Sequence, residues 1–304
     1  MSLADYQLPL PASSGTWTYS PDRLGPAWNA SYTGETIWPY GDSYKSGQGS
    51  FYFRTQAASS RVGLDFAGTG LRLCLTDNSA TYTVTLNSTV IKPTVVTNDG
   101  GCKGLGASQA ILIQDLDFAT HTVDLLITGA SPSQDFQFFG GILETKILSS
   151  TVSNKTIDDR DEDWNILRKS GSAWDESTGL GLYQGTASFT CIWTDDARGS
   201  ATYTFKGASA VLLNSAGSDS FTVILDGQTT VSNMASGNWL LNSNPMFFNT
   251  NLDPTQSHTI TLMNYDAEDK RCGHQDGTLR DDQSCCTRLR ISEHLNFMFK
   301  GHNI

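Results

Sequence analysis

The strongest constraint on what this chain can fold into is that it repeats itself. Val62-Gly-Leu-Asp-Phe-Ala-Gly aligns with Ala201-Thr-Tyr-Thr-Phe-Lys-Gly, placing Phe66 on Phe205 and Gly68 on Gly207. Thr81-Tyr-Thr-Val-Thr-Leu-Asn aligns at the same offset with Ser220-Phe-Thr-Val-Ile-Leu-Asp. Leu116-Asp-Phe-Ala-Thr-His-Thr-Val-Asp-Leu matches Leu252-Asp-Pro-Thr-Gln-Ser-His-Thr-Ile-Thr-Leu, which brings His121 onto His258 across a one-residue gap. Ser50-Phe51 matches Ser188-Phe189, and Asp22-Arg23 matches Asp159-Arg160. Blocks recurring in one order at a period of roughly 140 residues indicate a duplicated domain, not a solenoid. The chain has 304 residues, and the length prior agrees with two domains of about 150 residues, each able to bury its own core. The expected domains are residues 1–151 and 152–304, divided at the polar stretch Leu148-Ser-Ser-Thr-Val-Ser.

Each repeated block reads as strand. Tyr82, Val84 and Leu86 alternate with Thr83 and Thr85, the period of a sheet with one buried face. Phe221, Val223 and Leu225 repeat the pattern, and Asp226-Gly227 then supplies a hairpin turn. Thr120 to Ile127 and His258 to Leu262 are further strands. Gly141-Ile-Leu-Glu-Thr-Lys-Ile closes the first domain and Arg290-Ile-Ser-Glu-His-Leu the second. No segment sustains a helical period. The expected fold is all-β: two tandem antiparallel β-sandwich (jelly-roll) domains. His121 and His258 are expected to sit at strand starts, where they pack or cap a turn.

The net charge is -11, which argues against nucleic acid or an anionic membrane as partner, since both reward clustered Lys and Arg. No apolar run is long enough to span a bilayer. Met1 to Gly15 lack the basic start and apolar stretch of a signal peptide. The sequons at Asn29, Asn87 and Asn154, together with six cysteines, point to the secretory pathway or the extracellular space, with the signal peptide already removed. Cys74 and Cys102 are natural partners as the two cysteines of the first half. Cys285 and Cys286 are adjacent and would strain if joined, so one is expected to hold Cys272 and the other to reach Cys191. A zinc site from Cys272, His274, Cys285 and Cys286 would have a spacing that matches no common site.

Aromatic residues gather in the predicted loops: Trp28, Tyr32, Trp38, Tyr40 and Tyr44 in the first half, and Trp164, Trp174, Tyr183, Trp239, Phe247 and Phe248 in the second. Loops of a sandwich collect at its ends. These rings therefore either plug the open ends or line a ligand cleft between the domains. The substrate-binding set expected for such a cleft is Trp38, Tyr40, Tyr44, Trp174, Tyr183, Trp239, Phe247 and Phe248, against flat apolar ligands or sugar faces. Lys45, Arg54, Arg72, His274 and His294 are the side chains available to polarise a ligand carbonyl or hydroxyl. Asp158, Asp159 and Asp161 offer carboxylates to a calcium ion, but Arg160 opposes it and a solvated turn is the alternative. No Gly-x-Ser-x-Gly elbow or His-Glu-x-x-His helix occurs. The insert Asn264 to Thr287 has no counterpart of similar length in the first repeat.

The start of the second repeat, Ile157-Asp-Asp-Arg-Asp, followed by a Trp-containing loop and Tyr-Thr-Phe-Lys-Gly, resembles tandem jelly-roll (galactose-binding-like) modules of secreted or cell-surface fungal proteins. Most relatives of that kind carry a transmembrane segment after the second module, which this chain lacks. In size, sequons and domain plan it also looks similar to the hetero-Diels–Alderases of fungal tropolone-sesquiterpenoid biosynthesis. That resemblance implies a pericyclase joining a tropolone quinone methide to a humulene-type alkene in an interdomain cleft, with no cofactor. The fold-level resemblance implies instead a secreted carbohydrate-binding protein whose partner is a glycan. The oligomeric state is open.

Overall fold

The computed structural model describes residues 3–21, 27–34, 48–148, 152–167, 175–178, 186–190, 200–215, 220–234, 244–264, 289–291 and 295–300. Strands dominate them, as the alternating pattern requires. The first half carries β1 (Leu3–Pro11), β2 (Thr18–Ser20), β3 (Asn29–Tyr32), β4 (Phe51–Thr55), β5 (Arg61–Gly68) and β6 (Gly70–Thr76). It continues with β7 (Thr81–Leu86), β8 (Thr89–Ile91), β9 (Thr94–Thr97), helix α1 (Gly100–Leu105), β10 (Gln109–Ile113), β11 (Ala119–Gly129) and β12 (Phe136–Leu148). The second half carries β13 (Val152–Ile157), β14 (Asn165–Leu167), β15 (Asp175–Thr178), β16 (Thr186–Thr190), β17 (Ser200–Lys206) and β18 (Ala208–Ser215). It ends with β19 (Ser220–Leu225), β20 (Gln228–Met234), β21 (Asn244–Asn249), β22 (Ser257–Asn264), β23 (Leu289–Ile291) and β24 (Leu295–Lys300).

The strand orders of the two halves correspond closely, with β9 of the first half unmatched. One sheet runs β2-β5-β11-β7-β8 and its counterpart β14-β17-β22-β19-β20. In the other sheet of the first half, β12 pairs with β1, β4 and β6, and β6 with β10; in the second half β24 pairs with β13 and β18, and β18 with β21. The work of the long β12 is divided there, because β23 takes the β16 pairing that matches β12 with β4. All named pairings are antiparallel.

Packing follows the two-residue period. Val62, Leu64 and Phe66 of β5 meet Val123, Leu125 and Ile127 of β11 on the inner face of one sheet. Leu71, Leu73, Leu75, Phe136, Phe138 and Leu143 cover the inner face of the other. Trp17, Tyr19 and Phe138 form edge-on ring contacts at 4.9 and 6.3 Å. The second core repeats the scheme with Tyr203, Phe205, Phe221, Val223, Ile260 and Leu262 against Val211, Leu213 and Met246. The rings of Trp28, Tyr32 and Trp164, expected in loops, belong to these cores. Phe247 and Phe248, also expected in a loop, lie on β21.

Three further elements differ from the sequence expectation. Helix α1 occupies a Gly-rich stretch without helical periodicity; Asp99 caps it by accepting from Cys102 N at 2.9 Å. Strand β1 pairs along its whole length with β12, with Leu8 and Leu10 buried. The last strand extends to Lys300, beyond the Arg290 to Leu295 segment expected to close the chain. Between the two halves, β12 ends at Leu148 and β13 begins at Val152. No helix among the described residues is long and apolar enough to cross a membrane.

Cys74 and Cys102 are disulfide-bonded with Cα atoms 5.0 Å apart, tying α1 to β6. Cys191, Cys272, Cys285 and Cys286 lie outside the described residues. Closing a loop with a sequence separation of 28 stabilises by about 3–4 kcal/mol in the chain-entropy picture. A Cys74→Ala/Cys102→Ala variant should therefore lose at least about 3 kcal/mol in urea unfolding. A loss below about 1 kcal/mol would show that the bridge is dispensable.

Candidate functional site

A groove opens where the two halves meet. It has a volume of about 480 Å³ and is lined by Gly15, Thr16 and Thr18 at the start of β2, Asp65 to Ala67 of β5, and Thr120 of β11. The second half supplies Thr230 of β20 and Phe247 to Asn251 at the end of β21. The size is that of a site for a small organic molecule. Phe248, half-buried, gives it an apolar side, while the neighbouring Phe247 turns its ring into the second core; hydroxyl and amide groups supply donors and acceptors around it. Asp65 is the one ionisable side chain among the described lining residues.

The seam beside the groove is tightly made. Ser14 Oγ and Gly15 N both donate to the Pro245 carbonyl, at 2.7 and 2.9 Å. Thr145 Oγ1 donates to Ala67 O at 2.9 Å and shares a 3.1 Å hydrogen bond with Thr250 Oγ1, with both threonines buried. Ile147 packs on Ala210. Gly15 is required by close approach: a Cβ there would meet Phe221 Cζ at 2.8 Å. Phe248 and Leu212 also pack against the first core.

Of the residues expected to bind substrate, Phe247 and Phe248 line this groove. Trp38, Tyr40, Tyr44, Trp174, Tyr183 and Trp239 lie outside the described residues, as do Lys45, His274 and His294. Arg54 and Arg72 are not among the lining residues, and both are held by carboxylates. Arg54 Nε stands 3.7 Å from Asp135. Arg72 donates twice to Glu144 Oε1 and once to Asp99, the cap of α1, at 3.4 Å. Both arginines thus act in the scaffold of the first half. Thr16, Thr18, Asp65, Thr120, Asn249 and Asn251 carried no sequence signal. They are small polar residues of common type, and only the packing of the two halves gathers them.

The acidic run forms two successive turns. Asp161 N donates to Asp158 O and Trp164 N to Asp161 O, each at 3.1 Å. Asp158 and Asp161 carboxylates accept from the backbone N–H of Arg160 and Asp163 at 3.0 Å. Asp159 is buried and accepts from Ser188 Oγ at 2.7 Å. Burial, reinforced by the charge of Asp159, holds the Asp158 carboxyl above its usual range against the lowering effect of the Arg160 N–H. Burial, then Asp161 and Asp163, push the Tyr203 phenol up to about 12. Asp158 and Asp161 thus shape the turns and Asp159 is tied to Ser188; among the described residues no three His, Cys, Asp or Glu side chains converge to hold a metal.

The two repeated histidines clamp matching hairpin turns to the neighbouring strand. His121 Nε2 donates to Asp117 O at 2.9 Å, and its Nδ1 accepts from Asn87 Nδ2 at 3.2 Å. His258 Nε2 donates to Asp253 O at 2.9 Å, but its Nδ1 faces the carboxylate Asp226 Oδ2 at 2.7 Å. Two acceptors call for two N–H groups, so the second clamp favours the imidazolium. Burial opposes that charge, yet the hydrogen bonds to Asp226 and Asp253 outweigh it and raise the His258 pKa. Burial likewise works to raise Asp226, but the His258 and Thr259 hydrogen bonds prevail and lower it. Asn29 lies on β3 opposite Arg54, Asn87 is exposed at its turn, and Asn154 lies on β13.

The fold and the groove define a class: a protein of paired antiparallel β-sandwiches with a groove at their junction. No family model matches the chain, and no curated protein matches it significantly. Among solved structures it is similar to a Paenibacillus xanthan lyase, with 13% identity over 99% of this chain and 25% of that one, at a TM-score of 0.29. It is similar to the ANXUR2 extracellular domain of Arabidopsis thaliana, with 10% identity over 98% of this chain and 97% of that one, at a TM-score of 0.27. The CBM22-1-CBM22-2 tandem domain of Paenibacillus barcinonensis Xyn10C gives 10% identity over 96% and 97%, also at 0.27. The chain thus spans a quarter of the xanthan lyase and nearly all of the other two. At these values the similarities bear on neither activity nor ligand.

The His258–Asp226 clamp makes stability depend on pH. Its contribution is complete below the usual imidazole value of 6.5 and is lost as pH rises through the higher value in the folded protein. At the acid end it is present above 3.8 and lost as pH falls through the lowered Asp226 value. Asp226 is partly exposed, so the effect is no more than about 1 kcal/mol. Asp226→Asn, which copies Asn87, should flatten the alkaline loss in thermal unfolding followed across neutral pH. An unchanged profile would remove the clamp as its cause.

Proposed function

We propose that this protein is a pericyclase that holds a tropolone quinone methide and a humulene-type alkene between its two halves and promotes their intermolecular hetero-Diels–Alder union. The observation that carries the reading is the junction groove, with the half-buried Phe248 ring on one side and, Asp65 apart, uncharged hydroxyl and amide groups around it. Such a cycloaddition forms one C–C and one C–O bond in a single cyclic movement of electrons and needs no nucleophile. Holding diene and alkene in near-attack geometry supplies roughly 7–11 kcal/mol as effective molarity. A donor such as Thr16, Thr120 or Asn249 on the heterodiene oxygen adds electrostatic stabilisation at the transition state. A secretory-pathway location belongs to the same reading and agrees with the Cys74–Cys102 bridge.

One observation favours a second reading, a non-catalytic carbohydrate-binding protein. Most of the lining side chains are hydroxyls and amides, which suit sugar hydroxyls, while Phe248 offers a ring for a sugar face.

Incubating the protein with a tropolone alcohol, as quinone methide precursor, and a humulene-type alkene should yield an adduct of defined stereochemistry. Phe248→Ala should slow its formation by about 100-fold, the penalty of misplaced reactants, with the protein still folded by circular dichroism. No adduct above the buffer control rejects the cycloaddition. Binding on a glycan array in that case selects the second reading.

A further inference from the structure

Because the halves share their strand order, a matched surface on which they differ is informative. On the outer face of the first half's sheet, Gly63, Asp65 and Ala67 of β5 stand opposite Asp124, Thr122 and Thr120 of β11. At the matching places of the second half, Thr202, Thr204 and Lys206 of β17 stand opposite Thr261, Thr259 and Ser257 of β22. There the threonines simply pair, Thr202 with Thr261 at 2.9 Å and Thr204 with Thr259 at 3.2 Å. The first half replaces one of these hydroxyls by the Asp65 carboxylate, and it does so on the face that borders the groove.

Asp65 is also held in a particular way. Thr122 Oγ1 donates to its Oδ1 at 2.6 Å, the length of a hydroxyl bonded to a charged oxygen. No donor among the described residues reaches Oδ2. The carboxylate is thus oriented by one neighbour and retains capacity for a second donor, beside a cavity whose other polar groups are neutral. A hydroxyl bonded to a carboxylate is held about twice as strongly as one bonded to a neutral acceptor. A ligand carboxylate would meet repulsion from Asp65, added to the chain's net charge of -11.

We propose that Asp65 is the groove's acceptor for a free hydroxyl on the ligand. The ligand class follows: an uncharged molecule with a hydroxyl at one end and an apolar ring or hydrocarbon at the other, lying on Phe248. The proposal rests on the groove being the binding site of the function proposed above, and it gives that site a direction. It separates neutral hydroxylated ligands from acidic ones such as uronic acids, although both suit a polar groove in size.

The test is calorimetric titration of the protein with a tropolone alcohol and with the methyl ether of that alcohol, alongside the adduct assay. The wild type should prefer the free alcohol by roughly ten- to a hundredfold, the usual range for a hydrogen bond to a charged group. Asp65→Asn keeps the size and removes the charge, and should reduce that preference to a few-fold. Asp65→Thr installs the residue that the second half tolerates at the matching position, and should abolish it. Thermal unfolding of both variants should match the wild type, because the side chain is exposed. Equal binding of alcohol and ether by the wild type overturns the proposal, as does a preference that survives in both variants. Adduct formation with such a surviving preference removes Asp65 and leaves the cycloaddition standing. An Asp65-dependent preference without any adduct removes the cycloaddition and leaves Asp65 standing. Failure to bind either compound overturns both.

Discussion

Two hydrogen bonds converging on one carbonyl, that of Pro245, join the halves of this protein. Ser14 Oγ and Gly15 N both donate to this one buried oxygen on β21. Thr145 and Thr250 make a second polar contact across the same seam, and Ile147 on Ala210 makes an apolar one. The groove depends on this arrangement because its walls are the residues just beyond each contact. Thr16 follows Gly15, Ala67 accepts from Thr145, and Phe247 and Phe248 follow Pro245. The groove is therefore as well defined as the seam that it borders.

The strands were legible in the sequence because a half-buried sheet imposes strict alternation, and Tyr82, Val84 and Leu86 or Phe221, Val223 and Leu225 display it. The internal repeat made the same inference twice, and the matching strand orders are its structural counterpart. Helix α1 was not legible: its six residues include three glycines, and it is held by the Asp99 cap and the disulfide instead of an amphipathic face. The rings of Trp28 and Trp164 misled because they flank irregular stretches. Each nonetheless closes a core, and Trp164 directs its indole N–H to Asp158 O at 2.9 Å. Phe247 and Phe248, in sequence a loop-like stretch, occupy a strand. The Asp65 side of the groove carried no signal, since a lone carboxylate in an alternating strand looks like ordinary solvent-facing polarity.

The two histidine clamps show how a shared frame accommodates local divergence. Backbone contacts are kept: Asn87 and Asp226 each accept from the N–H of the residue after the histidine, Thr122 and Thr259. Ring contacts are kept as well, with Phe66–His121 and Phe205–His258 centroids both 5.6 Å apart. What changes is one side-chain atom, an amide nitrogen for a carboxylate oxygen, and with it the charge that the imidazole is asked to carry. The sheet faces have diverged in the same manner, with a threonine pair in one half and an aspartate–threonine pair in the other.

Only three residues separate the end of β12 from the start of β13. Fully extended, such a tether reaches at most about 14 Å from Leu148 to Val152. The halves are therefore leashed at one end and hydrogen-bonded along their seam, which leaves little scope for the wide clamshell swing of proteins hinged on long connectors. On the proposed function, a guest enters a slot whose width is nearly set in advance, and molecules would be sorted by thickness at the entrance before any polar group inspects them.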